Sequence, residues 1–507
     1  MSDVDPAKPN ERAGVDAWLA VAAGTIGALM ATLDISIVNT SLPTIQGAIS
    51  ASGSEGTWVS TAYLVAEIIM IPLVAWFTGI LGLRRFLLVM TSLFVVFSIW
   101  CGLSESLVVM IIGRVGQGFT GGAMIPTALT IVTTRLPPRR QPVGLALFGM
   151  TAVLGPVLGP VVGGWLTETL SWHYVFFLNL PIGIGLLTLI LLGLPHGKLD
   201  WSRLRNTDVL GLLGLVLALG ALTVVLEEGE RERWFESGMI CGLSGVSVIG
   251  FLMVIAGQLY ARQPIIRLKI LLTRSFGSAF VLSLTTGAAL YGVLYLVPQF
   301  LTQVPGYNPE QSGYITALSG IPMIVLLAMF PILVRKIDMR IAVAFGLFLY
   351  GASCIADSLL SPDTAGAQFV LTQIVRGFAQ FFAVLFLNQA ATVSVPREYA
   401  ADASGLFNAA RNLGGSFGLA LISTLQDRRE TLHVARLSES ISANSVLGQD
   451  ALHHLGVARV SEAVAAQAVV LTYADLYRVF GVLMLMLIPL AFLLTTLPKD
   501  ADISMGH

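Results

Sequence analysis

Apolar residues in this chain come in long runs, and polar residues are confined to the short stretches between them. Fourteen runs of about twenty residues, the length that crosses a hydrocarbon layer ~30 Å thick, fall near 17–41, 57–79, 86–103, 107–134, 142–167, 174–194, 208–226, 238–260, 276–302, 311–334, 341–360, 366–394, 403–425 and 475–497. In lipid a single continuous run satisfies its backbone groups as a helix. The pattern predicts an all-α integral membrane protein with 14 transmembrane helices and a long polar connection at about 426–473. The even number of spans puts both termini on one side. The first run is too long for a removable signal peptide and lacks a small-residue cleavage site, so it reads as the first span behind a polar tail, residues 1–16. A second tail occupies 498–507.

Composition supports lipid as the main solvent. Of 507 residues, 55% are hydrophobic and 12% charged, against roughly 25% charged in a soluble domain. A net charge of −1 gives no electrostatic footprint for nucleic acid. Cys101, Cys241 and Cys354 are scattered through apolar runs without disulfide or metal-ligand spacing. Nineteen of the 29 lysines and arginines fall on the tails and connections that share the N-terminal side. Seven fall on the other side, five of them in or beside the long connection, and Arg114, Arg376 and Arg411 fall inside spans. Basic residues favour the cytoplasmic side, so both termini are expected there.

An internal repeat explains the number of spans. Arg114, Gln117, Pro137, Arg139, Gly144 and the glycines near Gly155 recur in order as Arg376, Gln380, Pro396, Arg397, Gly405 and Gly414-Gly415. Spans four and five therefore correspond to spans twelve and thirteen. The chain divides into a six-helix bundle at 17–195, two additional helices with their linkers at 196–275, and a second six-helix bundle at 276–497 that contains the long connection. Parallel half-repeats are a transporter architecture with substrate bound between the halves.

The fifth span carries Gly155, Pro156, Gly159, Pro160, Gly163 and Gly164 within ten residues. Such a run predicts a kinked helix pressed closely on its neighbours through its small face. It is also a candidate hinge or seal between the halves.

Ionisable groups in a bilayer are expensive and are functional candidates by default. These are Asp34 in span one, Glu67 in span two, Arg114 in span four, Arg376 in span twelve and Arg411 in span thirteen. Asp34 precedes the outer end of its span by seven residues and Arg114 follows the outer start of its own by seven. At 1.5 Å per residue both lie ~10 Å deep, which permits pairing. Glu67 lies nearer the midplane. A carboxylate in a low dielectric favours its neutral form, so it can exchange protons near neutral pH, and when ionised it attracts a cation. Those two states exclude one another, which is the physics of exchange. Asp34, Glu67, Arg114 and Arg376 are thus candidates for proton coupling or substrate contact. Each also has a purely structural reading, as a helix-end hydrogen-bonding group or a clamp on backbone carbonyls. Asn39, Gln117, Arg411 and Asn412 are expected in supporting polar networks. Gly113-Arg114-Val115-Gly116-Gln117-Gly118 has no βαβ unit around it, and no P-loop lysine motif occurs, so neither a dinucleotide nor ATP is expected.

Several segments resemble the major facilitator superfamily, in its fourteen-span drug:proton antiporter branch of the EmrB/QacA type. Leu33-Asp34-Ile35-Ser36-Ile37-Val38-Asn39-Thr40-Ser41-Leu42-Pro43 is similar to that branch's first-helix signature. Arg114-Val115-Gly116-Gln117-Gly118 is similar to its fourth-helix motif, and Gly155-x-x-x-Gly159-Pro160-x-x-Gly163-Gly164 to its fifth-helix antiporter motif. Ser171-Trp172-His173-Tyr174 through Asn179-Leu180-Pro181 resembles the link into the sixth helix. The loop after span two departs from the family pattern: Ala75, Gly79 and Ile80 stand where a glycine, an aspartate and an arginine are usual, so the inner gate must rest on other contacts.

The resemblance implies a fold of two six-helix bundles plus two extra helices, with alternating access and no cofactor beyond the proton-motive force. It implies a multidrug efflux antiporter of a bacterial inner membrane, exporting amphipathic or cationic compounds. The helical spacing in 432–441 and 452–455 resembles the extracytoplasmic insert of pumps that work with a periplasmic adaptor protein and an outer-membrane channel. An amphipathic cap lying on the membrane is the alternative. A dedicated exporter of a metabolite, siderophore or fatty acid is a second reading of the whole chain, and a non-transporting receptor or intramembrane enzyme a remote third. No metal, Ser–Lys or GxGD-like pattern supports the enzyme.

Overall fold

The computed structural model describes residues 13–197, 199–200, 207–261, 264–396, 399–440 and 446–495. The 498–507 tail, residues 1–12 of the first tail and the tip of the long connection at 441–445 lie outside the described residues. Every described element is helical. The membrane helices of the first half are α1 (Val15–Ala48), α2 (Trp58–Leu81), α3 (Leu83–Gly102), α4 (Leu107–Gly121 and Met124–Arg135), α5 (Gln141–Thr169) and α6 (His173–Phe177 and Asn179–Gly193). Two inserted helices follow, α7 (Val209–Glu228) and α8 (Gly238–Tyr260). The second half comprises α9 (Arg274–Gln303), α10 (Pro309–Ala317, Gly320–Leu327 and Phe330–Lys336), α11 (Met339–Asp357), α12 (Gly366–Gln380 continuing to Phe386–Val393), α13 (Ala400–Ser440) and α14 (Val446–Met486 and Ile488–Ala491).

Eleven of these are long and apolar enough to cross a membrane, and α10, bent by 70° before Phe330, makes a twelfth. α5 and α13 occupy the two remaining predicted stretches, so helix covers each of the fourteen. The protein is a multi-pass membrane protein.

Glycine sets the spacing within each half. α5 runs without interruption through its Gly/Pro run. A Cβ at Gly155 or Gly159 would collide with Thr32 or Ser36 of α1, and one at Gly163 would lie 3.0 Å from the Ile37 carbonyl oxygen. Gly164 has open space around it. The small face therefore seats α5 on α1 inside the first half. Two hydroxyls lock the contact: Thr32 Oγ1 donates to Thr151 O at 3.3 Å, and Ser41 Oγ and Thr167 Oγ1 bond at 2.8 Å. The second half repeats the device, because Gly414 and Gly418 of α13 would drive a Cβ into the backbone of Leu284 and Ala288 on α9. Close approach of backbones through small residues is how membrane helices gain packing energy. Gly159→Val is accordingly expected to destabilise the protein by about 1–3 kcal/mol through overpacking, read as a lower thermal midpoint in detergent. An unchanged midpoint would refute this packing.

The halves meet along α2–α13 and α5–α10. On the face where α1 begins, Ser404 Oγ of α13 donates to Pro126 O of α4 at 3.1 Å, and Arg335 Nη2 of α10 donates to Arg139 O at 3.0 Å. These bonds across the halves supply contacts that the altered loop after α2 does not. A small cavity lined by Leu129, Thr133, Thr392, Ser404 and Phe407 sits beside them. α7 and α8 pack on one another through Gly214 and Gly250, and α7 lies against α2 and α13 at the edge of the interface.

The predicted polar loop at 426–473 is a difference. α13 continues through its first part to Ser440, and α14 begins at Val446, 41 residues in each helix. At 1.5 Å per residue each is about 60 Å long, twice the ~30 Å hydrocarbon thickness. Both helices leave the bilayer on the face opposite the N-terminus.

Candidate functional site

α4 builds the centre of the first half. Arg114, Gln117 and Gly118 share one face at three- and four-residue spacing. A Cβ at Gly118 would fall on the Tyr63 carbonyl, so its absence lets α4 lie directly against α2. At that distance Arg114 Nε donates to Val59 O (3.1 Å), Nη1 donates to Gln117 Oε1 (3.0 Å), and the guanidinium stands 4.3 Å from the Tyr63 ring centroid.

The same Nη1 pairs with Asp34 Oδ2 of α1 at 2.7 Å, with both side chains 1% exposed or less. The other oxygen, Oδ1, accepts from Asn179 Nδ2 of α6 (2.7 Å) and from Gln117 Nε2 (3.2 Å). Ser98 Oγ of α3 closes the network by accepting from Gln117 Nε2 (2.7 Å) and Asn179 Nδ2 (3.2 Å). Four helices thus converge on one carboxylate, which a buried charge needs in order to persist. The depth argument permits the Asp34–Arg114 pair, and Gln117 is expected as a supporting network residue; Asn179 and Ser98 are additions from the structure. Asn179→Ala leaves Oδ1 with only the longer bond from Gln117. It is expected to cost about 1.5–3 kcal/mol, the value of a hydrogen bond to a charged group, measured as a thermal midpoint. No loss would show that Asn179 does not hold the carboxylate.

Arg376 occupies the corresponding place in the second half with a different partner. It pairs with buried Asp357 of α11, and its Nη1 donates to Gln373 Oε1 at 3.1 Å. Sequence reading overlooks Asp357, which lies in the predicted span 341–360 only three residues from its end. Its signal was a carboxylate within reach of an embedded arginine one helix later.

Glu67 is the exception among the embedded groups. It is 2% exposed, and its Oε1 has no hydrogen-bond partner among the described residues. Gly122 of α4 packs on its backbone, where a Cβ would lie 2.6 Å from the Glu67 carbonyl oxygen. Glu67 lies on α2 and Arg411 on α13, the two helices along which the halves meet. Arg411 bonds within its own helix, Nη2 donating to Asn408 Oδ1 at 2.9 Å. An embedded carboxyl and an embedded guanidinium thus stand on opposite sides of the seam between the halves. Asn412 Oδ1 is buried without a partner among the described residues. Asn39 stands apart, accepting from Ser60 Oγ at 2.6 Å on the exposed opposite face.

The arrangement joins one fully satisfied ion pair inside a half to one unsatisfied carboxylate between halves. The sequence profile described as Major Facilitator Superfamily matches residues 24–419. The chain is 33% identical to the colistin resistance protein EmrB of Acinetobacter baumannii over 91% of this chain and 90% of that one. It is 32% identical to the multidrug export protein EmrB of Escherichia coli K12, over 82% of each chain. It is 30% identical to the fatty acid resistance protein FarB of Neisseria gonorrhoeae, over 87% and 86%. Among solved structures, the human organic anion transporter MFSD10 superposes with a TM-score of 0.59 at 15% identity, over 94% of this chain and all of that one. The proton:xylose symporter XylE gives 0.60 at 13% identity, over 94% and 97%. Glycine-seated half-repeats, an embedded arginine in each half and matches along most of the chain lead to one assignment: the protein belongs to the major facilitator superfamily of membrane transporters, in its EmrB-type branch.

Proposed function

We propose that this protein is a proton-coupled multidrug efflux antiporter of a bacterial inner membrane, with both termini cytoplasmic, that exports amphipathic or cationic compounds by rocking its two halves. The observation that carries the reading is Glu67, a buried carboxylate with an open oxygen on the seam between the halves. Protonated, it is neutral and releases cargo; ionised, it draws a cation or the Arg411 guanidinium. Exchange follows because one site cannot hold both ligands. Asp34 and Arg114 act behind it as a second, fully coordinated charge pair. The names of the relatives, which speak of multidrug export, colistin and fatty acids, support an amphipathic cargo.

The helices that leave the membrane between 426 and 473 form the docking element for a periplasmic adaptor and, through it, an outer-membrane channel. Their support is length: each is twice what the bilayer requires.

The test uses the whole protein in proteoliposomes with ethidium as probe. Gradient-driven ethidium movement, accompanied by opposite proton movement and abolished by a protonophore, is expected. Ethidium flux indifferent to the proton gradient would overturn the reading.

A further inference from the structure

The helices inserted between the halves carry acids that this mechanism has not used. Adjacent carboxylates at the end of α7 reach opposite halves. Glu228 Oε1 accepts from Thr61 Oγ1 of α2 at 3.0 Å, while Glu227 Oε1 accepts from Ser416 Oγ of α13 at 2.7 Å. Glu228 is neutralised by Arg231, whose Nη2 lies 3.0 Å from its other oxygen. Glu227 has no cation within salt-bridge distance among the described residues. Thr61 lies six residues outward of Glu67 on α2, and Ser416 five outward of Arg411 on α13. At 1.5 Å per residue, Ser416 puts Glu227 about 7.5 Å above Arg411 and Thr61 puts the adjacent Glu228 about 9 Å above Glu67. Tyr291 of α9 lies in that interval, with its ring against Gly415 of α13. Further out on the inserted pair, Glu230 Oε2 is buried without a partner among the described residues.

We propose that Glu227 is the outer proton station for Glu67, supplied to the seam by the inserted helix pair. The inference rests on the antiport reading above. Glu227 takes a proton from water on the outer face. It then gives that proton up through water and the Tyr291 hydroxyl, so that one O–H bond breaks at Glu227 and one forms at Glu67. Beside Glu227 stand Ser416 of α13 and, from its own end, Glu228 with its partner Arg231; Thr61 of α2 binds that same Glu228.

A proton station matters most when outside protons are scarce, and this separates it from a packing role. Gln at 227 keeps an oxygen for the Ser416 hydroxyl but cannot titrate. In proteoliposomes, with an equal pH difference in both cases, Glu227→Gln is expected to slow ethidium transport at least tenfold at outer pH 7.5 and less than threefold at outer pH 5.5. Glu227→Asp is expected to restore at least half of the lost rate. Equal losses at the two pH values, no loss at either, or an Asp variant as slow as Gln would each overturn the proposal. Glu67→Gln run alongside separates the two claims. If it abolishes coupling while Glu227→Gln does nothing, only the station fails; if it leaves coupling intact, Glu67 is not the group the station supplies and the proposal falls, while the antiport reading fails only where unaltered protein moves ethidium without regard to the proton gradient.

Discussion

Replacing Glu67 with Gln is expected to abolish gradient-driven accumulation while leaving the fold intact. The amide matches the carboxyl in volume, and Gly122 packs on the Glu67 backbone, which the change leaves alone, so packing changes little. What disappears is the proton. A gradient of one pH unit stores about 1.4 kcal/mol per proton, enough to hold cargo at a tenfold concentration ratio if one proton is exchanged. A transporter that cannot carry that proton draws on none of it, so the ratio is expected to fall to one. Glu67→Asp keeps the titrating group one methylene further from the seam and is expected to retain coupling at a reduced rate. Accumulation ratios measured across a series of imposed gradients give the answer. A Gln variant whose ratio still climbs with the gradient removes Glu67 from the mechanism.

Breaking the Arg114–Asp34 pair is the second large effect, and it falls on stability first. Arg114→Ala strands the Asp34 carboxylate among Gln117, Asn179 and Ser98 with no cation, and removes the bond from Nε to the Val59 carbonyl as well. Removing one partner of a buried pair costs about 3–5 kcal/mol, a large part of a protein's net stability. Folded yield and thermal midpoint should both drop sharply. Removing both charges in Asp34→Asn/Arg114→Gln leaves no stranded ion, so the double variant is expected to be more stable than Arg114→Ala alone, yet inactive. Arg114→Lys keeps the charge but has one nitrogen where the guanidinium uses two, and is expected to fall between them. If the double variant is no more stable than Arg114→Ala, the carboxylate is not what makes the single change costly.

Much of this was legible in the sequence because lipid imposes a simple rule. Every helix that crosses the bilayer must be apolar for about twenty residues, and the fourteen runs coincide with helices for that reason. Equal depth permitted the meeting of Asp34 and Arg114 without establishing it, and the structure brings them together. Three things were not legible, each for a physical cause. Asn179 and Ser98 are uncharged, so nothing in the pattern of embedded charges marks them. Asp357 and Glu227 lie close to the ends of their runs, where a carboxylate looks like an ordinary interfacial residue until a neighbouring helix is seen to bury it. The length of the helical extensions at 426–473 was not legible, although helical spacing within them was, because hydropathy records what a helix touches, and a helix in water need not be apolar. The Gly/Pro run, legible as a close-packing face, seats against Thr32, Ser36 and Ile37 of the same half.

The length of α14 has a mechanical corollary. Its backbone stays helical from Val457, which is 73% exposed, past Phe480 and Met484, both buried in the second half. Val457 stands about 27 Å along the axis from Asp475 at 1.5 Å per residue. A stiff rod anchored in one rocking body behaves as a lever, and a tilt of about 10° displaces that point by roughly 5 Å over such an arm. A fluorophore or spin label fixed at Val457 would report every stroke of the cycle from well outside the lipid, without disturbing a single contact of the charge network it follows.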